Sequence, residues 1–204
     1  MGPEVLVVKR EHIFPHDAFQ GFLPLHYKNY FDIILDKFEY KERNDSLEND
    51  PTFLQIVPYI WLINSKEKKV FIYKRAPSKS SYKEERHLNK LSGGVGGHID
   101  KEDLQNENLI LDAAVREMKE ELVMASVPEP KFIGYINDDS TRFSEVHLGI
   151  VGIAETTEEA KPADGMAHGQ FYTAQEVEEL FANPENKVES WTQMSWPVIK
   201  RYLV

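Results

Sequence analysis

The stretch Leu109–Ala125, LILDAAVREMKEELVMA, follows a glycine run, Ser92-Gly93-Gly94-Val95-Gly96-Gly97-His98. At roughly 100° of rotation per residue, the stretch predicts a helix with Leu111, Val115, Met118 and Leu122 on one face. Glu117, Glu120 and Glu121 stand at i, i+3 and i+4, which places them on the opposite, exposed side. Like charges at this spacing destabilise an isolated helix by roughly a few tenths of a kcal/mol. A bound cation would remove that repulsion. Mg²⁺ prefers oxygen ligands and is commonly shared between one or two carboxylates and substrate phosphates, and Mn²⁺ also fits an oxygen-rich site. Taken alone, the three glutamates read as a solvated helix face. The glycine loop before them turns the reading toward phosphate chemistry at a metal.

Gly97, Arg116, Glu117, Met118, Glu120 and Glu121 resemble the Nudix box, G-x5-E-x7-R-E-U-x-E-E-x-G-U with U aliphatic. The block Arg116-Glu117-Met118-Lys119-Glu120-Glu121 matches every specified position of its central part, Gly96-Gly97-His98-Ile99 is similar to its entry, and Met124 suits the last aliphatic position. Three departures accompany the match. Asp103 stands where the family has glutamate, twelve residues instead of seven separate it from Arg116, and Val123 replaces the late glycine. The extra length, about five residues within Leu104–Asn108, lies in a loop where insertions are thermodynamically cheap. Valine resists the left-handed backbone that a glycine adopts after a helix. The helix is therefore expected to continue to about Ser126, with Pro128 as the stop.

The resemblance implies an α+β fold, a Nudix-like α/β/α sandwich with a mixed sheet. It also implies an enzyme, a Nudix-type phosphoanhydride hydrolase that cleaves a pyrophosphate bond in a nucleoside-diphosphate-linked or related phosphorylated small molecule. Glu117 and Glu121 would be the principal metal ligands, with Glu120 assisting and the Gly97 carbonyl completing the set. Arg116 would orient a box carboxylate through a charge-assisted bond. In the family a further acid outside the box serves as base or extra ligand. Glu145, at the start of a strand, is the candidate, with Asp138 and Asp139 as rivals.

A chain of 204 residues with 41% hydrophobic and 28% charged residues has the composition of a globular protein with one well-cored domain. No window approaches a membrane span, and the N-terminus lacks a secretory pattern, which points to a cytoplasmic protein. Zero cysteines exclude disulfides, thiolate ligation and a cysteine nucleophile. They also remove an acid–base group associated with a related isomerase chemistry on the same fold. The formal net charge of −10 argues against general nucleic-acid binding, yet it does not oppose a small phosphate ligand held through a metal.

Residues 1–50 read as an N-terminal extension packed on a core of residues 51–204. Glu4–Val8 predicts a strand. Between Lys28 and Lys41, Tyr30, Phe31, Ile33, Ile34, Leu35 and Phe38 predict a helix whose aromatic stripe serves the core or a homodimer contact. Leu54–Ile63 and Val70–Lys74 predict a hairpin, with Pro58 marking an edge or a bulge. Strands are expected over Lys131–Ile136 and Val146–Ala154. A helix over Ala174–Phe181 has Thr173 and Glu176 as a capping box, and a last helix over Gln193–Leu203 has Pro197 in its first turn.

Before the glycines, Arg75, Lys79, Lys83, Arg86, His87 and Lys90 read either as a solvated loop or, as a cluster, as cations for substrate phosphates. Arg75, Arg86 and Lys90, with His98 after the loop, are the candidate substrate-binding residues. His98, His147 and His168 lack the i,i+4 pairing or thiolates that mark a zinc site in sequence. Tyr59, Trp61, Tyr73 and Phe143 read as core aromatics, with base stacking as the alternative. The inserted loop and Val123 motivate a second functional expectation, a non-catalytic Nudix-fold module that binds a nucleotide or a partner protein. Retention of all three acids and Arg116 argues for the enzyme.

Overall fold

The apolar runs of the sequence become strands in the computed structural model, which describes residues 2–75, 90–105, 108–163 and 166–204. In chain order the elements are β1 (Glu4–Lys9), α1 (Arg10–Ile13), β2 (Gly21–Pro24), α2 (Tyr30–Lys37), β3 (Glu39–Glu42), β4 (Phe53–Asn64), β5 (Lys69–Arg75), β6 (Lys90–Ser92), β7 (Gly94–Val95), α3 (Leu109–Glu121), β8 (Leu122–Val123), β9 (Lys131–Asn137), β10 (His147–Thr156), β11 (Lys161–Pro162), β12 (Met166–Thr173), α4 (Ala174–Ala182), β13 (Lys187–Val188) and α5 (Ser190–Ile199). Two compact units emerge. One comprises Met1–Tyr59, Gly97–Ala114 and Phe132–Gly152, and the other Ile60–Gly96, Val115–Lys131 and Ile153–Val204.

In the first unit β1 is buried on both faces, because successive strand residues point to opposite sides. Leu6 and Val8 join the larger apolar cluster, while Val5 and Val7 pack with Leu47. β1 pairs antiparallel with β3 and, through Val7 to Lys9, with Gln55 to Phe53 of β4. The N-terminal residues thus supply a strand to the sheet. α2 starts at Asn29, whose side chain accepts the Phe31 N–H at 3.1 Å, a regular N-cap. It ends at Lys37, earlier than the expected span to Lys41, because Glu39–Glu42 is taken up as β3. Its aromatic stripe is core: Tyr30 meets Tyr135 edge-on with centroids 5.0 Å apart, and Phe31 lies against Phe132 and Tyr135.

In the second unit β4 and β5 form the expected hairpin, with Ile63 opposite Val70 and Asn64 opposite Lys69. β5 also pairs with β6 and β12, β4 with β7, and β6 with β13. The β6–β13 pair is parallel and the others are antiparallel, so the pairing is mixed. Pro58 is buried inside β4 rather than on an edge. It falls between the residues that pair with β1 and those that pair with β7, where its missing N–H interrupts neither ladder.

α4 carries the expected capping box, with the Thr173 hydroxyl and the Glu176 carboxylate reciprocating. α5 begins at Ser190, three residues before the expected start, so Pro197 lies well past the first turn. α3 ends at Glu121 rather than near Ser126. Leu122 and Val123 turn into β8, antiparallel to Pro162 and Lys161, and the Ala163 N–H reaches the Glu121 carbonyl at 2.9 Å. Valine suits an extended strand better than a left-handed cap, and the position needs no glycine.

Candidate active site

The glycine loop is fixed by what its backbone must approach. A Cβ built on Gly93 would stand 2.1 Å from Cζ3 of Trp61, so only glycine lets the loop lie on that buried ring. The Gly93 N–H donates to Thr192 Oγ1 at 3.0 Å, and the indole N–H of Trp61 donates to Ser195 Oγ at 3.1 Å, both partners belonging to α5. Gly94 pairs opposite Trp61, and its carbonyl accepts the Tyr73 hydroxyl at 2.8 Å. Gly96 has φ of +150°, a conformation that side chains rarely permit. Its N–H is thereby aimed at helix α3, where it donates to Glu121 Oε2 at 3.1 Å.

The glutamates of α3 do not all face solvent. Glu117 and Glu121 lie within about 20° of the direction of Ile110 on a 3.6-residue helix, and their side chains are only 14% and 23% exposed. Glu120 is the outward acid, at 58%. The buried face runs through Ile110, Ala113, Ala114 and Met118, whereas Leu111 and Val115 are only half-buried. The expected apolar stripe is thus rotated, and small alanines leave the inward side to two acids. Arg116 Nη1 donates to Glu117 Oε1 at 2.8 Å and to Glu120 Oε1 at 3.3 Å. Burial pushes the Glu117 carboxyl up to about 7, and the Glu121 charge adds to the rise against the pull of Arg116.

Arg75, at the end of β5, serves carboxylates of its own chain. Its Nε donates to Glu189 Oε1 at 2.8 Å, and Nη1 stands 3.9 Å from Glu121 Oε1. Burial opposes its charge, but Tyr73, Glu189 and Glu121 outweigh that and raise its pKa well above the ordinary value. Glu189 was not foreseen from sequence. It is the buried N-cap residue of α5, 6% exposed, and no local pattern announces it.

Glu117, Glu120, Glu121, Arg116, Arg75, Glu189, Gly96 and Lys90 all belong to the second unit, Lys90 as the first residue of β6. Gly97, His98 and Glu145 belong to the first. Glu145 sits in a 3₁₀ turn just before β10, where its backbone carbonyl accepts Arg10 Nη1 at 2.8 Å. Its rival Asp139 is engaged by both Arg10 and Gln20, and Asp138 is buried. Lys79, Lys83, Arg86 and His87 lie outside the described residues. Tyr59, Trp61 and Tyr73 are core, between 0% and 4% exposed. Two of the three scattered histidines converge: His98 Nε2 is 3.3 Å from His147 Nε2, whereas His168 lies exposed in β12.

No family model matches the chain. Protein YmaB of Bacillus subtilis (strain 168) is 30% identical over 171 residues, covering 76% of this chain and 75% of that protein. The crystal structure of Tm1382, described as a candidate Nudix hydrolase, matches 97% of this chain and 98% of its own, with a TM-score of 0.76 and 26% identity. A Nudix hydrolase from Alicyclobacillus acidocaldarius, 10% identical over 72% of this chain and 91% of its own, shares the fold at a TM-score of 0.53. The NUDIX domain of Shewanella oneidensis NrtR, solved in complex with ADP ribose, does so at 0.50, with 12% identity over 73% of this chain and 85% of its own. With the box residues on α3, the mixed sheet and these likenesses taken together, the chain has the α+β fold of the Nudix hydrolases and belongs to the Nudix hydrolase superfamily.

Proposed function

We propose that the chain hydrolyses a pyrophosphate bond in a nucleoside-diphosphate-linked or related phosphorylated small molecule, with Mg²⁺ or Mn²⁺ held by Glu117 and Glu121 and assisted by Glu120. The observation that carries this reading is the inward placement of two acids one helical turn apart, on a face where a folded protein ordinarily keeps apolar side chains. Their donor set, carboxylate oxygen alone, suits a hard dication. Such an ion would neutralise the diphosphate and activate the attacking water.

The chain's own residues supply orientation. Arg116 spans Glu117 and Glu120, and the Gly96 N–H fixes one oxygen of Glu121. Because Arg75 is held by Glu189 and stands near Glu121, we assign it to positioning Glu121 rather than to gripping substrate. Lys90, the first residue of β6, remains a proposed phosphate contact.

A phosphate-release screen over ADP-ribose, nucleotide sugars, dinucleoside polyphosphates, nucleoside triphosphates and coenzymes tests the reading, with wild type and Glu121→Gln run side by side. Magnesium-dependent release by wild type and its loss in Glu121→Gln is the expected result. Equal, metal-independent release by both proteins would refute the mechanism. Nucleotide binding without turnover would favour the non-catalytic module instead.

A further inference from the structure

We propose that Glu48, His98 and His147, all in the first unit, form a binding site for a zinc-type dication, built from none of the glutamates of α3. One ligand atom from each lies within 4.8 Å of the other two. Three separate elements bring them together. Glu48 sits in the 3₁₀ turn Leu47–Asn49, which packs beside the turn Ser144–Val146. His147 opens β10. His98 precedes Ile99, whose carbonyl accepts the Leu6 N–H at 2.8 Å, and Asp100 bridges to Val5, so β1 anchors the segment.

The ring orientations support ligation. His147 Nδ1 is 2.7 Å from the Phe143 carbonyl. A carbonyl only accepts, so Nδ1 carries the proton and Nε2 presents its lone pair to His98. This is the outer partner that metal-binding histidines ordinarily have, and it fixes both tautomer and ring direction. The two Nε2 atoms are 3.3 Å apart. That is long for a nitrogen–nitrogen hydrogen bond, but zinc–nitrogen bonds of about 2.0–2.1 Å meeting at about 109° put two ligand nitrogens about 3.3 Å apart.

Glu48 is similarly prepared. Arg43 Nε holds its Oε1 at 2.7 Å, with the Glu48 side chain 15% exposed, and a carboxylate has a second oxygen to give. Two imidazoles with one carboxylate favour zinc and its neighbours over magnesium. Three protein ligands would also leave a fourth position for water or an exogenous group. Glu48 lies far outside the Nudix box, so the box does not account for the cluster.

The test is zinc titration of the chelator-treated full chain, by calorimetry and by competition with a chromophoric chelator, in a large excess of Mg²⁺. One tightly bound zinc per chain is expected. His98→Gln and Glu48→Gln, both at partly exposed positions, are the informative variants. His98→Gln should weaken binding by more than about 100-fold, beyond the loss of an outer partner, and Glu48→Gln by a smaller factor. A variant with Glu117, Glu120 and Glu121 all changed to Gln should keep its zinc. Cobalt substituted for zinc should show the visible bands of four-coordinate geometry in wild type and lose them in His98→Gln. Zinc binding that survives His98→Gln and Glu48→Gln, that vanishes in the triple glutamine variant, or that Mg²⁺ displaces would each overturn the proposal.

Discussion

Changing Glu117 to Gln should stabilise the metal-free protein, and only above mid-acid pH. The carboxyl is raised from 4.5 to about 7, chiefly by burial. The fold therefore prefers the protonated form, and ionisation works against folding. Below about pH 4.5 the group is protonated in both folded and unfolded chains and there is no penalty. Between about 4.5 and 7 the penalty grows, and above 7 it is complete. A shift of this size corresponds to about 3 kcal/mol, with the Arg116 ion pair already included. In EDTA, urea unfolding at pH 8 should give Glu117→Gln about 2–3 kcal/mol more stability than wild type, a gap that closes as pH falls toward 4.5. Magnesium should close the gap. At a hundredfold excess over its dissociation constant, a ligand of the native state adds about 2.7 kcal/mol, which wild type gains and the variant does not. A Glu117→Gln protein that is less stable at pH 8 in EDTA, or a gap that ignores pH, would refute the placement of this acid as a buried charge awaiting a cation.

Arg75→Met should destabilise the chain by about 3–5 kcal/mol, because it leaves the Glu189 carboxylate buried without its cation; Glu189→Gln in the same background should restore much of this in urea midpoints. Gly93→Ala should cost about 3 kcal/mol through overpacking, since its methyl would meet Trp61 at 2.1 Å, and calorimetric melting reads the loss. Val123→Gly restores the family's usual residue at a position that the structure makes a strand. It should lower stability by about 1 kcal/mol or less without raising kcat in the phosphate-release assay, and a clear gain in kcat would show that the position acts as a helix cap.

The parts of the fold legible in the sequence are those whose information is local. The hairpin announces itself by two apolar runs about a polar turn, and Thr173 with Glu176 states a helix start within four residues. Helix ends are harder, because the partner that terminates them is distant. Nothing in Leu122-Val123-Met124 reveals that Lys161 and Pro162 will pair with it, yet that pairing converts a continued helix into β8. The same holds at Phe38, just past the end of α2, because Glu39–Glu42 has no strong strand pattern of its own and becomes a strand where β1 lies open to it.

The candidate sites divide in the same way. Arg116, Glu117, Glu120 and Glu121 were readable because one helix carries them at fixed spacing, although the spacing misjudged which way they point. Periodicity locates a buried face by its large apolar residues, and here the small Ala113 and Ala114 share the inward face with Ile110 and Met118, beside Glu117 and Glu121. Arg75 and Glu189, 114 residues apart, and the trio of Glu48, His98 and His147 share no spacing at all. What joins each set is strand pairing: β5 with β6 and β6 with β13 for the first, β1 with β4 and with the segment after the glycines for the second. A histidine search confined to i,i+4 pairs finds only ligands that a helix presents. Ligands presented by a sheet and its turns become visible only when the register is known.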